Sequence, residues 1–314
     1  MAELGIVKAE FYRAVSKISK PIADSTHTIS KIAFYVMEIT LRNGVKGQGY
    51  LLSFHYSPNA IEGALKDICN FLRENEYETY ETVRMKQDWD KEAEYFGNTG
   101  LNNCAVAAAN VAMWDAWGHA LNMPVWKILG SNAKKIPVYG SGGYSVKIMM
   151  DANQGMDVPS ALKLAEQAKK IGIHWFEEPV MHTDFAGYEL LRSKCGIALA
   201  MGEREYDCEA LKHLIARNAL DLWQPDIVRL GGVEEWLNSA KLAESYKLPV
   251  LPHYYKDYDV PLLCTIRHPY GAESFDWIDG IIDNTMRIEN GYAYPRETSG
   301  WGFTFKEEFL EKVD

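Results

Sequence analysis

Short apolar runs that end in an acidic residue recur in the second half of this chain at a fixed step. VKIMMD ends at Asp151, HWFE reaches Glu177 after 26 residues, and IALAMGE reaches Glu203 after 26 more. A step of that length holds one strand and one helix, so the spacing predicts consecutive βα units. Other β-type runs are IPVYGS (136–141), DLWQPDI (221–227), LPVLPH (248–253) and ESFDWID (273–279), with helical stretches such as Pro159–Lys170 and Glu234–Tyr246 between them. Seven strands in this alternation point to a β/α barrel rather than an open sheet. In such barrels the C-terminal strand ends ring one mouth. Three carboxylates there suit one hard divalent cation, Mg²⁺ best, which keeps positions open for water and substrate. Strand side chains alternate in direction, so only one of Glu177 and Glu178 faces the interior. Glu177 is taken as the inward one, and Glu178 is expected to pair with a neighbour.

The series continues past the three acids. Asp226 ends the next strand in QPD, His253 ends the one after in LPH, and Glu273 begins the last run. An aspartate and a histidine on adjacent strand ends can hydrogen-bond, which fixes the imidazole tautomer and raises its basicity. Glu273 could face the substrate from the far side and donate a proton or a hydrogen bond. A single acid at a strand end is ordinarily a helix N-cap or a solvated loop charge. Six such residues on successive strand ends are poorly explained that way.

The first 130 residues have another texture. Lys31–Phe54 reads as a β-hairpin around Asn43-Gly44, a strong short hairpin signal. Helical patterns follow over Asn59–Glu74, Tyr80–Tyr95 and Asn102–Leu121, the last rich in alanine and closed by Asn122 and Pro124. The expected division is an α+β domain over 1–130, a β/α barrel over 131–285, and a tail over 286–314 that folds back on the first domain.

The net charge of −10 supplies no basic footprint for nucleic acid or an anionic membrane. No run approaches the roughly 20 apolar residues of a membrane span, and the first thirty residues show no signal-peptide pattern. Five scattered cysteines without CxxC spacing read as reduced, packed thiols, which sets a cytoplasmic expectation.

DANQ (151–154), FEEP (176–179), GE (202–203), QPD (224–226), GG (231–232) and PH (252–253) together resemble the mandelate racemase subgroup of the enolase superfamily. The helix AANVAMWDAWGHALNMPVWKILG (108–130) is similar to that family's segment joining cap and barrel. The resemblance runs over nearly the whole chain. It implies an α+β capping domain over a modified (β/α)₇β barrel. It implies Mg²⁺ on Asp151, Glu177 and Glu203, a His253–Asp226 general-base dyad, and Glu273 as electrophilic partner. Asn153 would touch metal-bound substrate or its ligand shell. A homo-oligomer is expected on the resemblance alone.

One departure bears on both fold and chemistry. The family carries a Lys-x-Lys pair at the end of barrel strand two, and none stands between Tyr139 and Asp151. IPVYGSGG matches family strand one and SVKIMMDANQ matches strand three, with almost nothing between them. Strand two and its flanking helices are missing, about one and a half units of roughly 30 residues each. Parallel neighbours need a crossover of roughly a dozen residues, and two or three residues span at most about 10 Å. A segment absent from the sequence as read, a deletion, or a rearranged barrel with an open edge would each meet this; an absent or deleted segment is the expectation.

The implied chemistry is removal of a proton α to a carboxylate. A two-base racemase or epimerase needs the missing lysine, whereas a dehydratase can begin from the histidine dyad. That favours dehydration of a sugar acid, an aldonate or aldarate, to a 2-keto-3-deoxy acid. Racemisation of a 2-hydroxy acid and a partial, inactive chain are the alternatives. Candidate substrate contacts are Arg204, Tyr144 and Lys256 around the mouth, and His27 in a lid around Ile18–Ser30. A second lid lies around Phe54–Asn59, with His55 and Tyr56.

Overall fold

The computed structural model of the chain describes residues 3–23, 28–54, 56–140 and 147–313. The N-terminal layer is an antiparallel sheet of β1 (Ile6–Ala23), β2 (Thr28–Leu41) and β3 (Lys46–Phe54), joined on the outer edge of β1 by β12 (Glu311–Lys312). The hairpin turns where expected: Gly44 takes φ +85, which suits a residue without Cβ, and the Asn43 side chain accepts from the Val45 N–H. The first strand, β1, stood outside the sequence reading; it pairs with β2 from Lys8↔Thr40 to Lys17↔Lys31.

Three helices, α1 (Pro58–Glu74), α2 (Thr82–Glu92) and α3 (Gly100–Leu121), follow the sheet. α1 starts with Pro58 in its first turn and buries Ile61, Leu65, Ile68, Cys69 and Leu72, the stripe that a 3.6-residue period dictates. α3 is buried nearly all round because its alanines let β3 approach closely. A Cβ on Gly47 would lie 2.3 Å from the Ala116 nitrogen, and one on Gly49 2.3 Å from the Ala108 oxygen. Asn122 closes α3 in the left-handed region, and α4 (Val125–Ile128) leads out of the layer.

The second layer alternates strand and helix: β4 (Ile136–Gly140), β5 (Met150–Asp151), α5 (Val158–Lys170), β6 (Trp175–Glu177), α6 (Phe185–Cys195), β7 (Ala198–Met201), α7 (Cys208–Ala216), β8 (Leu222–Trp223), α8 (Val233–Ser245), α9 (Lys256–Leu263) and β9 (Ala272–Ser274). Asp157, Asp184 and Asp207 accept backbone N–H groups at the starts of α5, α6 and α7, so each of these loops ends in its own N-cap. β5, β6, β7 and β8 form parallel neighbours in that order, and single bridges at Val250 carry the arc from Trp223 to Pro269. The 248–253 run makes no longer ladder because Pro249 and Pro252 remove two donors from it. β9 pairs in parallel with β4.

Among the described residues no ladder joins β4 to β5. The outer edge of β4 is met instead by a hairpin of β10 (Arg287–Glu289) and β11 (Tyr292–Tyr294), which reaches Ile136 and Pro137. This is the place where the sequence lacks a strand. The tail then returns to the N-terminal layer: Trp301 N–H donates to Asp115, Phe305 N–H donates to the Gln48 side chain, and β12 pairs with β1. Among the described residues no helix is long and apolar enough to cross a membrane.

Candidate active site

Parallel register brings the acids together. Asp151 stands opposite Glu177 across β5 and β6, and Glu177 stands opposite Ala200 on β7, three residues before Glu203. On the other flank Tyr139 of β4 pairs with Glu273 of β9. Glu203 is buried, and Asp226 is 4% exposed.

The carboxylates crowd one another. Burial pushes the Glu177 carboxyl far up, and the charges of Glu273, Asp151 and Glu203 push it further. Asp151 keeps an exposed side, yet the protein packed around its carboxyl raises it to about 6 against the opposing Asn153 N–H, with Glu203 adding to the rise. The indole N–H of Trp175 donates to Glu177 Oε2 at 3.1 Å. Among the described residues no three acidic, imidazole or thiol side chains are already gathered closely enough to hold a metal ion.

Glu178 turns away from this group, with φ +36, and is fully buried. It accepts from Arg204 Nε at 3.2 Å and from Gln154 Nε2 at 3.1 Å. Arg204 Nε also lies 3.2 Å from Glu203 Oε1, and its Nη2 lies 3.4 Å from Asn153 Oδ1. Asn153 in turn donates its backbone N–H to Asp151. Arg204 and Asn153 thus sit within the acidic group, and the guanidinium is engaged by two carboxylates. Gln154, which the sequence reading passed over, ties the β5 and β6 loops together by also accepting from the His182 N–H; its place in DANQ was the available signal.

The histidine half is geometrically formed. His253 Nδ1 lies 2.8 Å from Asp226 Oδ2, while Asp226 Oδ1 accepts from the N–H groups of Val228 and Arg229, both at 2.9 Å. The aspartate is held on both oxygens, so Nδ1 carries a proton toward it and Nε2 is the nitrogen turned to the other acids. Nε2 points at Glu203 Oε2, 3.4 Å away. Removal from water opposes a charge on His253, yet Glu203, Asp226 and Glu273 hold the imidazole well above its usual range. Glu273 accepts from the Tyr254 N–H at 3.0 Å, and burial raises its carboxyl to about 7 against the pull of His253. Near neutral pH a large share of it therefore still carries a proton to donate.

Lys256 lies elsewhere. Its ammonium is buried against the Phe275 carbonyl and Asp279, 2.7 Å away, so it does not turn toward the acids. Tyr144, His27 and His55 fall outside the described residues. Tyr56 is exposed and its ring leans on Phe54, which reaches Trp277.

An α+β layer set over a β/α arc, with acids and a histidine–aspartate pair on successive strand ends, is the architecture of an enolase-type chain. Residues 8–130 match the mandelate racemase / muconate lactonizing enzyme N-terminal domain, and residues 139–309 match the enolase C-terminal domain-like family. The chain belongs to the mandelate racemase/muconate lactonizing enzyme branch of the enolase superfamily. It is 22% identical to L-talarate/galactarate dehydratase of Salmonella typhimurium over 339 residues, covering 92% of this chain and 85% of that one. That stretch is longer than the 314-residue chain itself, so the relative carries internal residues that this chain lacks. Among solved structures, L-talarate dehydratase from Polaromonas sp. JS666, complexed with Mg and L-glucarate, superposes with a TM-score of 0.88 at 21% identity, covering 98% of this chain and 97% of that one. A racemase from Streptomyces coelicolor A3(2) with bound magnesium superposes with a TM-score of 0.88 at 20% identity, covering 97% and 99%.

Proposed function

We propose that the chain is a Mg²⁺-dependent lyase that dehydrates a sugar acid, an aldonate or aldarate, to a 2-keto-3-deoxy acid. The observation that carries this reading is the His253–Asp226 pair at 2.8 Å, with Nε2 turned toward the acids. Asp151, Glu177 and Glu203 are the residues that would hold the cation. The donor set fits: all-oxygen, with two of the three pushed toward protonation first by burial and then by neighbouring carboxylates, a state that a cation would offset. Bound there, Mg²⁺ supplies Lewis-acid stabilisation of charge developing on the substrate carboxylate.

The rest follows from the chain's own groups. With the charge of the surrounding acids offset, His253 Nε2 releases the proton they hold on it and takes the proton α to the carboxylate, while Asp226 keeps Nδ1 protonated. Glu273, in its protonated form, donates a hydrogen bond to the carboxylate oxygen as charge builds there. The imidazolium returns its proton to the β-hydroxyl, the C–O bond breaks, water leaves, and the enol product tautomerises to the 2-keto acid. Asn153 is the substrate-facing polar group of this reading, backed by Arg204, whose guanidinium is engaged by Glu178 and Glu203. The relatives named dehydratases support it, as does the absence from the sequence of the Lys-x-Lys pair that a two-base racemase would use.

The test is a panel of aldonates and aldarates with Mg²⁺, scored for 2-keto acid and for deuterium uptake from solvent. Keto-acid formation abolished by chelation is expected. Deuterium uptake without keto acid would overturn dehydration in favour of epimerisation. The lack of a ladder between β4 and β5 among the described residues favours a second reading, an inactive chain that keeps the motifs; it predicts neither signal and no thermal stabilisation by Mg²⁺.

A further inference from the structure

β3 is the edge strand of the N-terminal sheet, and alternate N–H groups along it face away from β2. An edge of this kind normally needs a strand, water or a covering element. Here side chains take the place of a strand. The Gln48 N–H donates to Asp115 Oδ2 at 2.8 Å, the Tyr50 N–H to the Tyr258 hydroxyl oxygen at 3.0 Å, and the Leu52 N–H to the Tyr255 hydroxyl oxygen at 3.0 Å. Both tyrosines are buried, and their rings stack at 17° while flanking Tyr50.

Tyr255 and Tyr258 belong to the turn that begins at His253. The His253 N–H donates to Pro225 O, the Tyr255 N–H to His253 O and the Tyr258 N–H to Tyr255 O, all within 3.0 Å. Between them Tyr254, at φ +64, gives its N–H to Glu273. One short segment therefore carries the imidazole, orients Glu273 and grips the sheet above.

We propose that Tyr255 and Tyr258 are positioning residues: their hydroxyls complete the edge of the capping sheet and thereby hold the 253–258 turn, and with it His253 and Glu273, in register with the cap. The second half rests on the reading of the site given above. Neither hydroxyl touches the acids; each acts through the turn.

Tyr255→Phe, Tyr258→Phe and the double variant keep the rings and remove the acceptors. Thr79→Val is the control, since it removes a buried hydrogen bond within the N-terminal layer, Thr79 Oγ1 to Met113 O at 2.7 Å, far from the turn in sequence. Amide exchange of the full chain should speed up by about tenfold at Leu52 in Tyr255→Phe and at Tyr50 in Tyr258→Phe. Protection at 254–258 should fall in the double variant. With a sugar acid that is turned over, the double variant should lose about tenfold in kcat while KM moves by less than about threefold, and Thr79→Val should leave kcat unchanged. Unchanged exchange at Tyr50 and Leu52 overturns the proposal, as does an equal kcat loss in Thr79→Val. If the unsubstituted chain turns over no sugar acid, the functional reading fails alone, and exchange decides: loss of protection at 50 and 52 without loss at 254–258 overturns the coupling.

Discussion

Glu234, in the first turn of α8, joins the two layers and offers the most direct test of how they are held. Its Oε2 accepts from Asn110 Nδ2 at 2.7 Å, and its Oε1 accepts from Trp114 Nε1 at 2.9 Å and from the Thr82 hydroxyl. Asn110 answers by accepting the Val233 N–H at 3.0 Å. Three donors from α2 and α3 thus converge on one carboxylate. A hydrogen bond to a charged group is worth about 1.5–3 kcal/mol net, and orphaned donors add desolvation cost. The site is only partly buried and the bonds share one acceptor, so they do not add fully. Glu234→Ala should therefore lower unfolding stability by about 3–5 kcal/mol. Glu234→Gln, which keeps an acceptor and loses the charge, should cost about 1–2 kcal/mol. Urea titration followed by tryptophan fluorescence and by far-UV circular dichroism measures both. Trp114 lies at the latch, so its signal should change first if the layers separate before either unfolds. A loss below about 0.5 kcal/mol in Glu234→Ala would refute the reasoning.

Three other perturbations test separate links. Asp226→Asn presents an N–H to His253 Nδ1 and moves the imidazole proton to Nε2; α-proton exchange and turnover should fall about 10³–10⁴-fold with the fold intact by circular dichroism. Gly49→Ala drives a Cβ into the α3 backbone, 2.3 Å from the Ala108 oxygen, and should cost about 3 kcal/mol in the same urea titration. His119, hydrogen-bonded to buried Asp115, is held above its usual pKa by that bond, against its own burial. A raised folded-state value means the pair contributes stability below the unfolded pKa and loses it as pH rises through the raised one. The difference in unfolding midpoint between the parent and His119→Gln should therefore be largest near pH 6 and shrink toward pH 9; a gap that widens with pH contradicts it.

The site was legible because its information is periodic. Asp151, Glu177 and Glu203 follow the βα step, and a strand-end acid needs no knowledge of distant residues to be placed at a mouth. What was not legible depends on pairs far apart in sequence. Lys256 reads as a free cation beside a histidine, and only the direction of α9 delivers it to Asp279. Arg204 reads as a substrate hook, and only the turn at Glu178 shows it engaged by two acids. β1 was missed because its apolar residues are interrupted by Lys8, Arg13 and Lys17, which its long pairing with β2 tolerates. The Tyr255 and Tyr258 spacing puts both hydroxyls on one side of a helix turn, but their acceptor role requires β3, some 200 residues earlier in the chain.

The missing strand is where sequence and structure meet most directly, and its consequence is asymmetric. β4 is covered on its outer side by the β10–β11 hairpin, so that edge keeps partners. β5 pairs only with β6 among the described residues, and Ile148 just before it is 56% exposed. An aliphatic side chain in a barrel strand is ordinarily covered on both flanks, so this exposure marks the face that a neighbouring unit would bury. The same edge carries Asp151, which is exposed while Glu203, two strands inward, is 8% exposed. The histidine half of the site, built on β8, the Val250 bridge, α9 and β9, lies on the closed side of the arc. Any loosening from the open flank therefore reaches Asp151 first and His253 last, so cation affinity should be more sensitive than the His253–Asp226 geometry to whatever fills or fails to fill that flank.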